Sequence, residues 1–227
     1  MSFKIKKINP LLIMLFAEVV LISAAAIIFK QPFFRVLPLY VSLVIYFLQS
    51  RINRFAPLVG AINSILYTGV YLYFKLYVSA ASAFFYSFPS QIIIFIKWCK
   101  NPYGSSTVLK KMTKKQKLIT LLSFVVSWLA LSIVLSFTDS NQALLDNTSS
   151  LLGIFVGVLM FLSFSEYTSL NVVSMLSCIA LRIALIVQGN YEFVTYLIFD
   201  IFAMVCTMKS VFSAKKLVEE QTKEVAK

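Results

Sequence analysis

Residues 11–28 read LLIMLFAEVVLISAAAII, a run whose only charge is Glu18. The run is continuously apolar, whereas a barrel strand alternates apolar and polar residues over about ten positions. An α-helix rises 1.5 Å per residue and crosses a hydrocarbon core about 30 Å thick in about 20 residues. Extended by one residue at each end, this run is a transmembrane helix over 10–29. Comparable runs follow at 34–50, 55–74, 78–97, 117–137, 147–164, 168–187 and 192–213. Little sequence is left for a soluble domain. The composition agrees: 59% of residues are hydrophobic and 13% charged, against about half and about a quarter in soluble domains. The chain reads as an all-α integral membrane protein with about eight helices in a lipid bilayer. Lys6 and Lys7 precede the first run as in a secretion signal, but the run exceeds a signal core of about 7–15 residues and is read as a retained helix.

Charge sets the orientation, since Lys and Arg gather on the cytoplasmic side of membrane helices. With the N-terminus inside, the inner segments hold Lys4, Lys6, Lys7, Arg51, Arg54, Lys97, Lys100, the lysines from Lys110 to Lys117, Lys209, Lys215, Lys216, Lys223 and Lys227. The outer segments hold Lys30, Arg35 and Lys75, and the acidic 138–147 segment with Asp139 and Asp146 suits an outer loop. Both termini then lie in the cytoplasm. The net charge of +12 reads as topology. A nucleic-acid partner is not expected, because the basic residues are spread over membrane-flanking segments.

The chain has no histidine, which removes His-based acid–base catalysis, Ser–His triads and histidine metal sites. Cys99, Cys178 and Cys206 fit no metal or disulfide spacing. No phosphate-binding glycine loop or dinucleotide fingerprint occurs. The expectation is a protein that is not an enzyme, with no cofactor and no metal.

The main internal break is 99–117, with Asn101-Pro102, Gly104 and five lysines from Lys110 onward. It divides the chain into an N-terminal helix (1–32), a first three-helix unit (33–98), a basic loop with a linking helix (99–140), a second three-helix unit (141–214) and a tail (215–227). The two units are weakly alike: VIYFL at 44–48 compares with VLMFL at 158–162, each ahead of a polar turn, Arg51-Ile52-Asn53 or Ser165-Glu166-Tyr167. A single linking helix restores direction between them, so the units run parallel, a known transporter plan.

Polar stripes mark the inner faces. Gly60, Asn63, Ser64, Tyr67 and Tyr71, with Phe74, recur at spacings of three and four, and so share one helix face. Ser79, Ser82, Tyr86 and Ser90 form a second stripe beside Gln91, and Pro89 can kink that helix. Asn171, Ser174, Cys178 and Arg182 form a third. Serines and glycines, including Gly153-x-x-x-Gly157, suit close helix packing. Amides and tyrosines are costly to leave unpartnered in lipid and suit contact with a planar heterocycle. Glu18, Arg182 and Asp200 are ionisable residues within spans, functional candidates by default. Asp200 or Glu18 can pair with Arg182, Asp200 can face a solute hydroxyl, and Arg182 can also snorkel toward the outer surface.

The stretch 49–98 resembles the PnuC family of bacterial nicotinamide riboside (formerly mononucleotide), vitamin and nucleoside transporters. The resemblance rests on Arg51-x-Asn53, Gly60, Leu66-Tyr67, Lys75-Leu76-Tyr77, Phe85-Tyr86, Gln91 and Trp98, and in the second half on Asp146-x-Thr148, Leu159-Met160 and Glu166. It implies a core of three helices, one linker and three helices, like a full-length version of the SWEET sugar transporters, assembled as a homotrimer in the bacterial cytoplasmic membrane. It implies facilitated diffusion of a small-molecule solute, trapped inside by a phosphorylating kinase. Asn53, Asn63, Tyr67, Tyr86, Gln91, Tyr167, Asn171 and Asp200 are the candidate substrate contacts, with Arg51 and Glu166 as gate or turn residues. The family's paired tryptophans after the Glu are Tyr167 and Leu170 here, and one after the Arg-x-Asn turn is Pro57. These changes alter ring stacking, so thiamine, riboflavin and deoxynucleosides stand as alternative solutes beside a nicotinamide riboside-like one. A membrane scaffold that transports nothing is the alternative from another class.

Overall fold

The computed structural model describes residues 9–73, 77–135 and 143–225. Of the residues named above, Lys4, Lys6, Lys7, Phe74, Lys75, Leu76, Asp139 and Lys227 lie outside them, and the side chains of Tyr77, Ser79 and Asp146 are likewise not described. Helix α1 (Pro10–Ile28) is started by Asn9, whose Oδ1 accepts from the Leu11 N–H, with Pro10 at the first position, where a missing N–H costs nothing. Helices α2 (Phe33–Gln49) and α3 (Ala56–Tyr73) follow. The fourth span is built from α4 (Tyr77–Ser82), a π-turn (Ala83–Ser87) and α5 (Phe88–Lys100). Pro89 lies in the first turn of α5. Its ring supplies no N–H and crowds the carbonyl four residues back. The π-turn just ahead of it widens the helix where that bond is lost, a common device at such sites.

A small hairpin, β1 (Pro102–Tyr103) with β2 (Ser106–Thr107), leads to α6 (Lys114–Leu135), α7 (Ala143–Phe161), α8 (Tyr167–Val187), a 3₁₀ turn (Tyr191–Phe193) and α9 (Val194–Val225). Five helices among the described residues are long and apolar enough to cross a membrane: 10–28, 80–100, 114–133, 167–187 and 191–224. Residues 33–49 and 147–161 form shorter apolar helices, and α3 carries the first polar stripe. The expected tail at 215–227 is instead the continuation of α9 as far as Val225. No Gly or Pro interrupts it, and Ala214, Val218 and Gln221 are buried at helical spacing.

The contacts between helices close a ring. Helix α3 packs between α2 and α5, and α8 between α7 and α9; α2 meets α9, and α5 meets α7. Helix α1 lies against α9 and α2, and α6 rests against α7. One apolar core, with Ile22, Leu43 and Phe202, joins α1, α2 and α9. A second surrounds fully buried Trp98, with Ile52, Met160, Tyr167 and Ala214.

The turns after α2 and α7 have the same geometry. Asn53 N–H donates to Leu48 O (3.1 Å) and Ile52 N–H to Gln49 O (2.9 Å); Phe164 N–H donates to Leu159 O (3.0 Å) and Ser163 N–H to Met160 O (3.0 Å). Each is a helix stop closed by a left-handed residue, Ile52 at φ 51° and Ser163 at φ 59°. The match sets Leu48 against Leu159, so the segment equivalent to 44–48 is 155–159. The pairing of VIYFL with VLMFL read from sequence is therefore three residues out of register. The geometry depends on backbone bonds and not on side-chain likeness. Ile52 is a β-branched residue in a conformation that normally favours glycine; its buried side chain packs against the Trp98 core, which holds it there.

The 101–113 segment straps both turns. Arg54 N–H donates to Ser105 O (3.1 Å), Ser165 N–H to Lys110 O (2.9 Å) and Lys110 N–H to Ser163 O (2.8 Å). Gln221 of α9 clasps the same segment, accepting from Leu109 N–H and donating to Thr107 O, each at 3.1 Å. Trp98 Nε1 donates to Met160 O across the ring (3.1 Å). This basic end of the bundle is closed by backbone bonds that replace lost water contacts.

Trp98→Phe removes one buried hydrogen bond and is expected to cost about 1 kcal/mol, while Trp98→Ala empties the core at a cost of about 3–5 kcal/mol. Thermal melts of the detergent-purified variants check the order. Equal melting points for wild type and Trp98→Ala would show that this core does not hold the basic end.

Candidate functional site

The opposite half of the bundle contains a cavity of about 450 Å³ between α2, α3, α8, α9 and the 3₁₀ turn. That is within the range of small-molecule sites, about 300–1,000 Å³. Its walls are aromatic and charged. Tyr67 and Tyr71, four residues apart on α3, stack with ring centres 5.6 Å apart and planes 23° apart. Phe193 and Tyr196 face them from the start of α9 and the turn before it. The Arg182 guanidinium lies over both rings, at 5.5 and 5.2 Å, and Arg35 lies over the same two, at 5.8 and 5.7 Å. Arg35 Nε also donates to the Tyr196 hydroxyl at 3.4 Å.

The charges are matched in pairs. Arg182 Nε lies 3.6 Å from Asp200 Oδ2, and Arg35 lies 4.0 Å from Glu192. Asp200 is buried. A lone carboxylate at this depth would be costly, and the guanidinium offsets that. Arg182 thus points inward to Asp200. The snorkelling reading is corrected, because the buried carboxylate holds the side chain within the ring of helices. Glu18 lies instead on α1, buried, and takes no part in this pair.

One turn deeper on α3 is Asn63. Its Nδ2 donates to Ser42 Oγ on α2 (2.8 Å), and its buried Oδ1 finds no donor among the described residues. Gln91 on α5 is similar: its Oε1 is buried and finds no donor among the described residues. Gly60 makes room for that amide, since a Cβ there would sit 3.1 Å from Gln91 Cδ and Oε1. Buried acceptors without donors are costly, and both sit on the inner faces of the ring. Tyr86 and Gln91 line a second recess of about 350 Å³ between the fourth span and α7, opposite Gly153 and Gly157.

The sequence-derived residues therefore fall into three places. Tyr67 and Asp200 line the large cavity, with Asn63 just below it. Tyr86 and Gln91 line the recess. Asn171 faces α9, its Nδ2 lying 3.5 Å from Thr207 Oγ1. The rest belong to the basic end. Asn53 Oδ1 accepts from Phe55 N–H (2.9 Å) and starts α3. Arg51 lies over the Phe47 ring at 4.6 Å. Tyr167 is fully buried, its ring 6.1 Å from that of Trp98. Glu166 accepts from Met112 N–H through both oxygens (3.1 and 3.2 Å) and meets Lys117 Nζ at 3.2 Å. Arg35, Phe193 and Tyr196 were not among the sequence candidates. Arg35 reads from sequence as a flanking charge, and only the fold brings it to the aromatic residues that follow Gly189.

No curated protein sequence matches the chain. Among solved structures, the crystal structure of the vitamin B3 transporter PnuC is similar over 95% of this chain and 94% of that one, with a TM-score of 0.76 and 19% sequence identity. At that identity the likeness shows a shared fold. The sequence pattern of the nicotinamide mononucleotide transporter family matches residues 33–209, from the start of α2 into α9 and so across the whole ring of helices. The chain belongs to the nicotinamide mononucleotide transporter family, a family of membrane transporters and not of enzymes.

Proposed function

We propose that the protein is a uniporter for a nicotinamide riboside-like vitamin or nucleoside in the bacterial cytoplasmic membrane. The observation that carries this reading is the aromatic cavity between α3, α8 and α9. Stacked tyrosines offer faces to a planar ring, and arginine-capped aromatics with Asp200 offer polar partners for a ribose. Both cavity arginines are matched by carboxylates, so neither guanidinium is left over for a phosphate. This favours the nucleoside over the mononucleotide after which the family is named. Trapping then falls to a cytosolic kinase, consistent with a sequence that carries no ATP-binding motif.

In this reading α2, α3 and the fourth span form one three-helix repeat, and α7, α8 and α9 the second, with α6 as the linker. The equivalent turns after α2 and α7 support it, as does the pattern in which the first helix of each triplet meets the last helix of the other. The basic end faces the cytoplasm, both termini lie there, and the chain works as a homotrimer. Asn63, Tyr67, Gln91 and Asp200 contact the solute along its path, and Tyr86 and Asn171 border it. Asn53, Arg51, Glu166 and Tyr167 shape the cytoplasmic gate.

A ligand that binds only the folded state raises the melting temperature. Nicotinamide riboside is expected to stabilise the detergent-purified protein, and nicotinamide mononucleotide is not. Tyr71→Ala and Gln91→Ala should each abolish the shift. Thiamine, riboflavin and deoxyadenosine complete the panel. A shift with the mononucleotide alone would overturn the charge argument, and no shift with any compound would favour the scaffold.

Asp200→Asn leaves Arg182 without its partner and is expected to cost about 1–3 kcal/mol, less than for a fully buried pair because the guanidinium is partly exposed. The Arg182→Gln/Asp200→Asn double variant should recover part of that loss in a thermal melt. Additive losses would mean that the two groups do not act as a pair.

A further inference from the structure

None of the residues 114–133 of α6 is buried, and the helix rests on α7. Beside that contact, a groove of about 420 Å³ runs between α6, α7 and α8. Its walls are apolar along most of their length, with Leu121, Phe124, Phe155 and Val173 among them. At the basic end the walls change character: Lys117 and Glu166 close the groove as an ion pair at 3.2 Å. Lys110 and Lys111 precede Met112, which lines the groove, and Lys114, Lys115 and Lys117 lie in the first turn of α6; all five are exposed. Glu166 is engaged by Lys117 and the Met112 N–H, and 101–117 contains no acidic residue to balance the other four lysines. The groove is thus a slot for an apolar chain, ending where α6 leaves the apolar layer and beneath a cluster of cations.

We propose that this groove binds one anionic diacyl phospholipid, with an acyl chain between α6 and α8 and its phosphate on the lysines at the start of α6. The chemistry of both parts matches. Hydrocarbon in the groove removes apolar surface that α6 leaves open, and clustered lysines beside a membrane helix attract anionic headgroups. Thr113 and Gln116 cap the start of α6 reciprocally, Gln116 N–H donating to Thr113 Oγ1 and Thr113 N–H to Gln116 Oε1, so the lysine side chains are the groups that would meet the phosphate. The occupant is a lipid and not a folded partner, because the groove is apolar along the exposed, apolar length of α6 and charged only at its basic end. The site is separate from the solute cavity, which lies in the other half of the bundle, and it holds whether or not the solute assignment does. A bound lipid would fasten α6, and through the Lys117–Glu166 pair it would brace the turn before α8.

The test uses the full chain reconstituted in vesicles of phosphatidylglycerol or of phosphatidylcholine, then released for native mass spectrometry and thermal melting. One retained phosphatidylglycerol per chain and a higher melting point than in phosphatidylcholine are expected. Ser169→Trp, which fills the groove, should lose both effects with its phosphatidylcholine melting point unchanged. Lys114→Gln/Lys115→Gln should lower retention several-fold. Equal retention of the two lipids overturns the proposal, as does full phosphatidylglycerol retention by Ser169→Trp. If Ser169→Trp instead lowers the oligomeric mass, the groove is an interface between copies and the lipid assignment fails. Should Ser169→Trp not fold, lipid retention by the wild type and by the lysine variant still decides.

Discussion

Everything at the basic end depends on a few backbone hydrogen bonds between the 101–113 segment and the two turns that follow α2 and α7. Arg54 and Ser165, equivalent residues in those turns, both donate into the segment, at 3.1 and 2.9 Å. A backbone group buried without a partner is costly, so a segment that satisfies both turns at once ties the two halves of the ring together. Gln221 adds the end of α9 to the same knot. Trp98 fills the space beneath it and bonds to Met160 from the opposite half. Ile52 and Ser163, two of the three left-handed non-glycine residues among those described, sit where the strap takes hold.

This closure gives the molecule its polarity. One end is sealed by main-chain bonds and a packed tryptophan core. The other half keeps a cavity walled by tyrosines and arginines, with its charges matched in pairs. In the proposed uniporter the strap is the closed cytoplasmic gate and the cavity is the waiting site. Release of solute toward the basic end then requires the bonds at Ser105 and Lys110 to part. Gly60 and Gln91 illustrate how the interior is tuned: the glycine lets an amide approach the wall of α3, and that amide's oxygen meets no donor among the described residues.

Much of this was legible in the sequence, for physical reasons. Continuous apolar runs admit one secondary structure in lipid, so the helices could be placed within a few residues. The stripe on α3 follows from the helical repeat alone, and it does carry the stacked tyrosines and the buried amide. Pro89 announced the irregular fourth span. What the sequence hid was contact between distant segments. Arg35 looks like a flanking charge until the fold sets it over Phe193 and Tyr196. Tyr167 looks like a ring for solute until it is found packed against Trp98. The register of the two halves is hidden in the sequence because the equivalent positions share backbone geometry and, apart from Leu48 and Leu159, differ in residue type. The extension of α9 was missed because its last turns look like a solvated tail, and only Gln221 reveals what they hold.

Proteoliposome flux measures the central claim directly. With labelled nicotinamide riboside outside and no kinase inside, a uniporter fills the vesicles until the two concentrations are equal. The end point should not move when a proton or sodium gradient is imposed, and preloaded vesicles should empty through the same protein. Accumulation above the external concentration under either gradient, or no flux beyond that of empty vesicles, would contradict the reading.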